Sequence, residues 1–247
     1  MENYQELIGV IALTMGASWA SGVNLYAALL VLGIGGSTGN IALPETLTVL
    51  QDPMVIAAAG LMYAVEFFAD KTPGVDTGWD GIHTFIRIPA GALLASSAVG
   101  DVTPAVEIAA GLLGGGVTAA THATKAGTRV LINTSPEPFS NWVASITEDL
   151  GVFGGLWLAL NHPVLFLVIF VVFLILLIWL LPKLWRGVKM VFYKVGLWLG
   201  LVDKSEDSPA EHEVEAYSQI RDLKKLYDEG AISEQEFNQE KARLLAD

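Results

Sequence analysis

The sequence predicts an all-α polytopic membrane protein, with about six transmembrane helices, a helix at the membrane surface and a small C-terminal helical hairpin. Three observations carry that expectation. Of 247 residues, 53% are hydrophobic and 16% charged, where soluble domains average about 45–50% and about 25%. Six apolar stretches approach the ~20 residues that a helix needs to cross the hydrocarbon. Half of the acids crowd into the end of the chain, where residues 203–247 hold 13 of the 26 acids and 6 of the 14 bases. The division is therefore a transmembrane body over 1–182, a basic and aromatic helix over 183–202, a charged linker over 203–216 and a hairpin over 217–247.

Composition also excludes. With no cysteine there is no disulfide framework and no thiolate chemistry. A net charge of -12 without a basic surface argues against nucleic acid as a partner.

The first span is read over Ile8–Ile34, inside a run from Leu7 to Leu43 that carries no charge. The second, Met54–Ala69, contains Glu66. The third, Trp79–Val99, has His83 and Arg87 in its first turns. The fourth, Pro104–Ile132, is rich in Ala and Gly and carries His122, Lys125 and Arg129 near its end. The fifth, Ser140–Leu160, is interrupted by Glu148 and Asp149. The sixth, Pro163–Leu181, is VLFLVIFVVFLILLIWLL after its proline and fits a lipid-facing helix.

Cytoplasmic flanks carry excess Lys and Arg. With the N-terminus inside, Lys71, Arg87, Lys125, Arg129, Lys183, Arg186, Lys189 and Lys194 fall on the inner side, while Glu45, Asp52, Asp101 and Glu107 fall outside. Both termini are then expected in the cytoplasm, in a bacterial inner membrane. After the sixth span, bases alternate with Trp185, Phe192, Tyr193 and Trp198. Such a helix lies in the headgroup plane or extends the sixth span, and the sequence leaves both open.

Three spans per half would suit an inverted 3+3 repeat. Two Gly/Ala-rich helices, GASWASGVNLYAALLVLG and GLLGGGVTAATHATKAGTRVLI, lead to the proline-containing connectors LPETLTVLQDP and NTSPEPFSNWVASITED, which read as re-entrant or broken segments. Small residues also recur because helices pack closely through them, so the repeat is one of two readings.

Ionisable groups inside spans cost ~2.5–3.5 kcal/mol or more and should be paired, hydrated or functional. Glu66 and Asp70 share a helix face, as do Asp76 and Asp80, and His83 and Arg87. Thr118, Thr121, His122, Lys125 and Arg129 form one stripe on the fourth span. A functional reading makes an inward polar cavity in which Arg87, Lys125, Arg129, His122 and Thr121 bind an anionic solute, ion or lipid headgroup. Glu66, Asp70, Asp76, Asp80, His83, Glu148 and Asp149 would then balance charge or relay protons. The structural reading makes the same charges a staple between helices. Glu137, in the second connector, is a further acid that would line the pathway or cap a helix. Of the acids and histidines, Glu66, Asp70, Asp80 and His83 are the group closest to a metal-ligand set, but no metal-binding spacing is present and no metal or cofactor is expected. GxSxG, P-loop and dinucleotide motifs are missing, so the sequence does not point to an enzyme.

The tail reads as two short helices. Ile220, Leu223, Leu226 and Tyr227 make one apolar face, Gly230 a stop, and Ser233 with Glu236 a capping box before Phe237, Leu244 and Leu245. So short a segment cannot bury a sizeable core alone. Leu223, Leu226, Tyr227, Ile232, Phe237, Leu244 and Leu245 are the expected oligomerisation contacts. The pattern of these residues with Gly230, Ser233, Glu236 and Lys241 resembles the SHOCT domain, which implies self-association or tethering without catalysis.

The body, from about Ile8 to Leu160, resembles a bacterial membrane family known only as a domain of unknown function, number 4126. The resemblance rests on ASGVNLYAALLVLG, EFFADKTPGVDTGWDGIHTFIRIPAGALLA and THATKAGTR from Thr121. It brings kinship and no activity. The expected function is a homo-oligomeric transporter or channel among membrane lipids, the alternative being a membrane scaffold assembled through the tail.

Overall fold

The computed structural model describes residues 2–134, 139–199, 201 and 209–244, with side chains from Tyr4 onward and, in the last segment, from Gln219. Glu137 and Leu245 lie outside these residues. The elements are α1 (Glu2–Ser37), a 3-10 turn (Glu45–Gln51), α2 (Pro53–Ala69), α3 (Val75–Ala98), α4 (Pro104–Ile132), α5 (Phe139–Asn161), α6 (Pro163–Trp198), α7 (Pro209–Asp228) and α8 (Glu234–Leu244). No strand occurs among the described residues. By length and apolarity α1, α5 and α6 qualify as membrane spans, and a fourth follows if the 3-10 turn and α2, bent at 66°, count as one. α3 and α4 have the length, at 24 and 29 residues, but carry the charges. The chain divides into two units, Met1–Arg186 and Gly187–Asp247.

Helix α1 is broken at Asn24, whose backbone is extended (φ -149°, ψ 98°). The break is a reversal. Ser18 sits against Gly114, and Gly22 against Thr118, Thr121 and His122, so the arm before Asn24 runs parallel to α4. After Asn24, Leu30 meets Gly60, and Gly33 meets Ile56 and Leu50, so the second arm runs antiparallel to α2. Yet α2 is itself parallel to α4, because Glu66 pairs with Lys125 and Asp70 with Arg129. These relations hold together only if the chain turns back at Asn24. At ~1.5 Å per residue the second arm rises about 20 Å, some two-thirds of a ~30 Å hydrocarbon layer.

The sequence accounts for this turn. Asn24 Oδ1 accepts from the Ala27 N–H at 3.0 Å, which makes Asn24 the N-cap of the second arm. The run read as one straight span, Ile8–Ile34, is thus two helical arms that form a hairpin, with both ends at the end of the bundle that holds the α3–α4 turn. Hydropathy sums apolar length and does not register one capping amide.

The helices close on small residues. A Cβ on Gly91 would meet Thr118 Oγ1 at 2.0 Å, one on Gly114 would meet Ala95 Cβ at 2.1 Å, and one on Gly155 would meet the Trp19 ring at 2.4 Å. These contacts set α3 antiparallel to α4 and bring α5 against the first arm of α1. Pro53 and Pro104 stand in the first turns of α2 and α4, where their missing N–H is harmless. Helix α6 packs on the first arm through Phe166, Phe170 and Phe173, with Trp19 edge-on to two of the rings. α6 continues unbroken through Pro182 to Trp198, so residues 183–198 are helical in continuity with the sixth apolar stretch.

In the second unit, α7 begins at Pro209, inside the stretch read as linker. Gly230, at φ 72°, ends it with paired bonds, Ala231 N–H to Leu226 O at 2.8 Å and Gly230 N–H to Tyr227 O at 3.0 Å, a Schellman stop. Ser233 and Glu236 cap α8 reciprocally. Tyr227 stacks on Phe237 at 5.4 Å. Leu223, Ile232, Phe237 and Leu244 are half-buried, while Leu226 and Tyr227 remain 43% and 38% exposed.

Candidate functional site

The hairpin tip of α1 ends inside a cluster of charges. Helix α2 presents Glu66 and Asp70, α3 presents Asp80 and Arg87, α4 presents Lys125 and Arg129, and α5 presents Glu148. Every one but Glu148, whose side chain is 20% exposed, is buried. Arg87 Nη2 donates to Glu66 Oε1 at 2.5 Å and Nη1 lies 3.4 Å from Asp80 Oδ1. Lys125 Nζ donates to Asp70 Oδ2 at 2.6 Å and lies 3.4 Å from Glu66, 3.5 Å from Glu148 and 3.9 Å from Asp80. Arg129 Nη2 donates to Glu148 Oε2 at 2.6 Å and lies 3.8 Å from Asp70.

The same bases hold the broken helix. The first arm of α1 leaves carbonyls without intrahelical partners at its C-terminal end, where positive charge is favoured. Val23 O accepts from Arg87 Nη1 at 3.1 Å and from Lys125 Nζ at 3.0 Å. Arg129 Nη1 donates to Asp70 O and Asn141 O, each at 3.1 Å. The bases therefore join four helices and the tip of a fifth element.

His122 is oriented by its neighbours. Its Nδ1 accepts from Arg87 Nη1 at 3.2 Å, which leaves Nε2–H to donate to Asp80 O and Thr84 Oγ1 at 3.1 and 2.9 Å. Thr121 is buried against Gly22, and its hydroxyl has no hydrogen-bond partner. Buried oxygens without a donor also occur on Glu66, Asp70 and both carboxylate positions of Asp80, and Nε of Arg87 and Arg129 is unpaired.

Three predicted residues stand aside from this knot. His83 bonds Tyr26 Oη at 3.1 Å and the Trp79 carbonyl at 2.9 Å, stacked on the Trp79 ring. Asp76 accepts from Thr77 N–H and Asn133 Nδ2 at 2.6 and 2.7 Å, and Asn141 continues that chain to Asn133. Asp149 accepts from Asn24 Nδ2 at 3.1 Å. Near it, Lys71 donates to Ser145 Oγ at 2.9 Å and covers the Phe67 ring. Burial holds the Lys71 ammonium below its usual value, against the pull of Asp149 and Asp70. Among the described residues, no three His, Asp or Glu side chains converge as a metal-binding group.

The sequence reading missed Asn24, Tyr26, Asn133 and Asn141. Asn24 had a signal, being the one side-chain amide within the span read over Ile8–Ile34. The others are ordinary at the ends of helices and gain meaning only from their partners.

A family model described as Domain of unknown function (DUF4126) matches residues 11–183. A second, described as SHOCT, Short C-terminal domain, matches residues 218–245. Neither the curated proteins nor the solved structures gave a match.

Proposed function

The chain belongs to the DUF4126 family, and from that premise we propose that it is a membrane transporter or channel whose solute site is the charge cluster at the tip of the α1 hairpin. One observation carries the reading: a broken helix ends its unpaired backbone on the same buried cations, Arg87 and Lys125, that the carboxylates occupy. Broken helices meeting charged groups deep in the membrane are how transporter sites are built. A staple at the membrane surface would need neither the break nor burial of six charged groups. Arg87, Lys125 and Arg129 suit an anionic solute, ion or lipid headgroup. Such a ligand must displace resident carboxylates, so binding and rearrangement of the ion pairs are one event.

The crossing count follows the reversal. Helices α2 to α6 cross, and α1 dips in and returns, in place of six crossings in an inverted 3+3 repeat. Lys71, Lys183 and Arg186 mark the α2–α3 end as cytoplasmic. That places the N-terminus outside and the C-terminus inside a cytoplasmic membrane.

The test is native mass spectrometry on protein gently extracted from its own membrane, beside uptake of labelled inorganic phosphate into liposomes. A defined anion or anionic lipid on wild type, missing from a still-assembled Lys125→Ala/Arg129→Ala variant, supports the site. Identical bare spectra with no uptake refute it. The exposed Leu226 and Tyr227 of the tail favour a second reading, a scaffold assembled through the hairpin. Deleting residues 217–247 would then abolish assembly, whereas a transporter keeps its flux per folded body.

A further inference from the structure

The cluster does not balance. Four carboxylates, Glu66, Asp70, Asp80 and Glu148, meet three bases, Arg87, Lys125 and Arg129, and every member lies within ion-pair distance of an opposite charge. The neighbouring His122 adds no positive charge, because its Nδ1 accepts from a guanidinium. An unmatched charge at this depth is costly, and groups in that position neutralise instead.

The geometry shows where. Glu66, Asp70 and Glu148 each have a base at 2.5–2.6 Å. Asp80 is 1% exposed, its nearest bases stand at 3.4 and 3.9 Å, and neither of its oxygens has a hydrogen-bond partner. It is the carboxyl least held in charged form. Around it stand Glu66 and Asp70 from α2, Lys125, Arg129 and His122 from α4, and Arg87 and His83 from its own helix.

We infer that the Asp80 carboxyl carries one proton while the ion-pair knot is closed, and that a proton is the coupling ion of this site. This rests on the transport reading and supplies its ion. Losing that proton gives Asp80 a full claim on Arg87 and Lys125, which loosens their hold on Glu66, Asp70 and the Val23 carbonyl. A metal cation is the poorer occupant, because the best-placed carboxylate oxygens are already turned onto ammonium and guanidinium groups.

Infrared difference spectroscopy on the full chain in lipid nanodiscs tests the inference, since a protonated carboxyl has a carbonyl stretch that a carboxylate lacks. The wild type at neutral pH should show one such buried band, unchanged when sodium replaces choline in the buffer. Asp80→Asn should abolish it. Glu148→Gln, which equalises acids and bases, should also abolish it with Asp80 present, and it serves if Asp80→Asn does not fold. A band absent from wild type, surviving either variant, or lost on adding sodium overturns the inference. Phosphate uptake on the same samples separates the two readings. The band without uptake leaves the proton site and sinks transport; pH-independent uptake without the band does the reverse.

Discussion

Asn24 and Asp149 stand 125 positions apart in sequence and meet at the turning point of α1. Asn24 Nδ2 donates to Asp149 Oδ1 at 3.1 Å while its Oδ1 caps Ala27. One amide thus starts a helix and ties the tip to α5. Asn24→Ala removes a cap, about 1 kcal/mol, and strips a buried carboxylate of a donor, about 1–3 kcal/mol. Thermal unfolding in detergent should show the loss, and an unchanged midpoint would mean that the turn is held by the cations alone.

The reversal makes a prediction about sidedness. The chain lacks cysteine, so single cysteines can be introduced without background at Tyr4, Asn40 and Thr72, all exposed. A membrane-impermeant maleimide should label Tyr4→Cys and Asn40→Cys from the same side, and Thr72→Cys from the other. Opposite labelling of Tyr4→Cys and Asn40→Cys would mean that α1 crosses end to end.

Lys125 is the hub of the ion pairs. Lys125→Ala should cost about 3–5 kcal/mol, because the carboxylates left behind lose their counter-charge. Asp70→Ala together with Lys125→Ala should cost less than the two singles summed, by about 0.5–3 kcal/mol. Additive losses in a double-mutant cycle would show that the pair is not coupled.

The α3–α4 seam has no room. Gly91→Ala and Gly114→Ala should each destabilise by about 1–3 kcal/mol through overpacking, since the new methyl would lie 2.0 Å from Thr118 Oγ1 or 2.1 Å from Ala95 Cβ. Gly116→Ala meets nothing within 4 Å and should be neutral or stabilising. Folded yield and melting temperature of the three variants check this order.

The tail has its own pH response. The Ser233 N–H and hydroxyl hold the exposed Glu236 carboxyl below its usual 4.5. Capping by the carboxylate is therefore complete above pH 4.5 and fades as pH falls through the lowered value. The Ser233 amide resonance of the full chain should follow that titration in NMR, and Glu236→Gln should flatten it.

Legibility varied with the kind of interaction. Helix positions were readable because apolar length and proline or capping signals are local: α2, α4 and α6 start where Asp52 and Pro53, Pro104 and Pro163 mark them. The cluster was readable as a set, since Glu66, Asp70, Asp80, Arg87, Lys125 and Arg129 are anomalies in apolar helices. Their pairing was not, because Lys125 reaches four carboxylates across three helices and sequence spacing fixes only faces. The re-entrant turn was hidden because a reversal at one residue leaves hydropathy unchanged, and what enforces it lies 63 to 125 positions away, at Arg87, Lys125 and Asp149.

The buried ion pairs also govern how the chain can be made. At the centre of a span a charged side chain costs about 2.5–3.5 kcal/mol when a helix partitions alone into lipid, and Arg87 sits midway along α3. During synthesis α2 and α3 emerge with Glu66, Asp70 and Asp80 facing Arg87 alone, before Lys125 and Arg129 arrive on α4. The insertion machinery must therefore shelter α2 and α3 until Lys125, Arg129 and Glu148 arrive, and release the helices as a group. A nascent chain stopped after α3 would present a half-neutralised segment that slips back out of the bilayer, which makes membrane integration of this protein an all-or-none step.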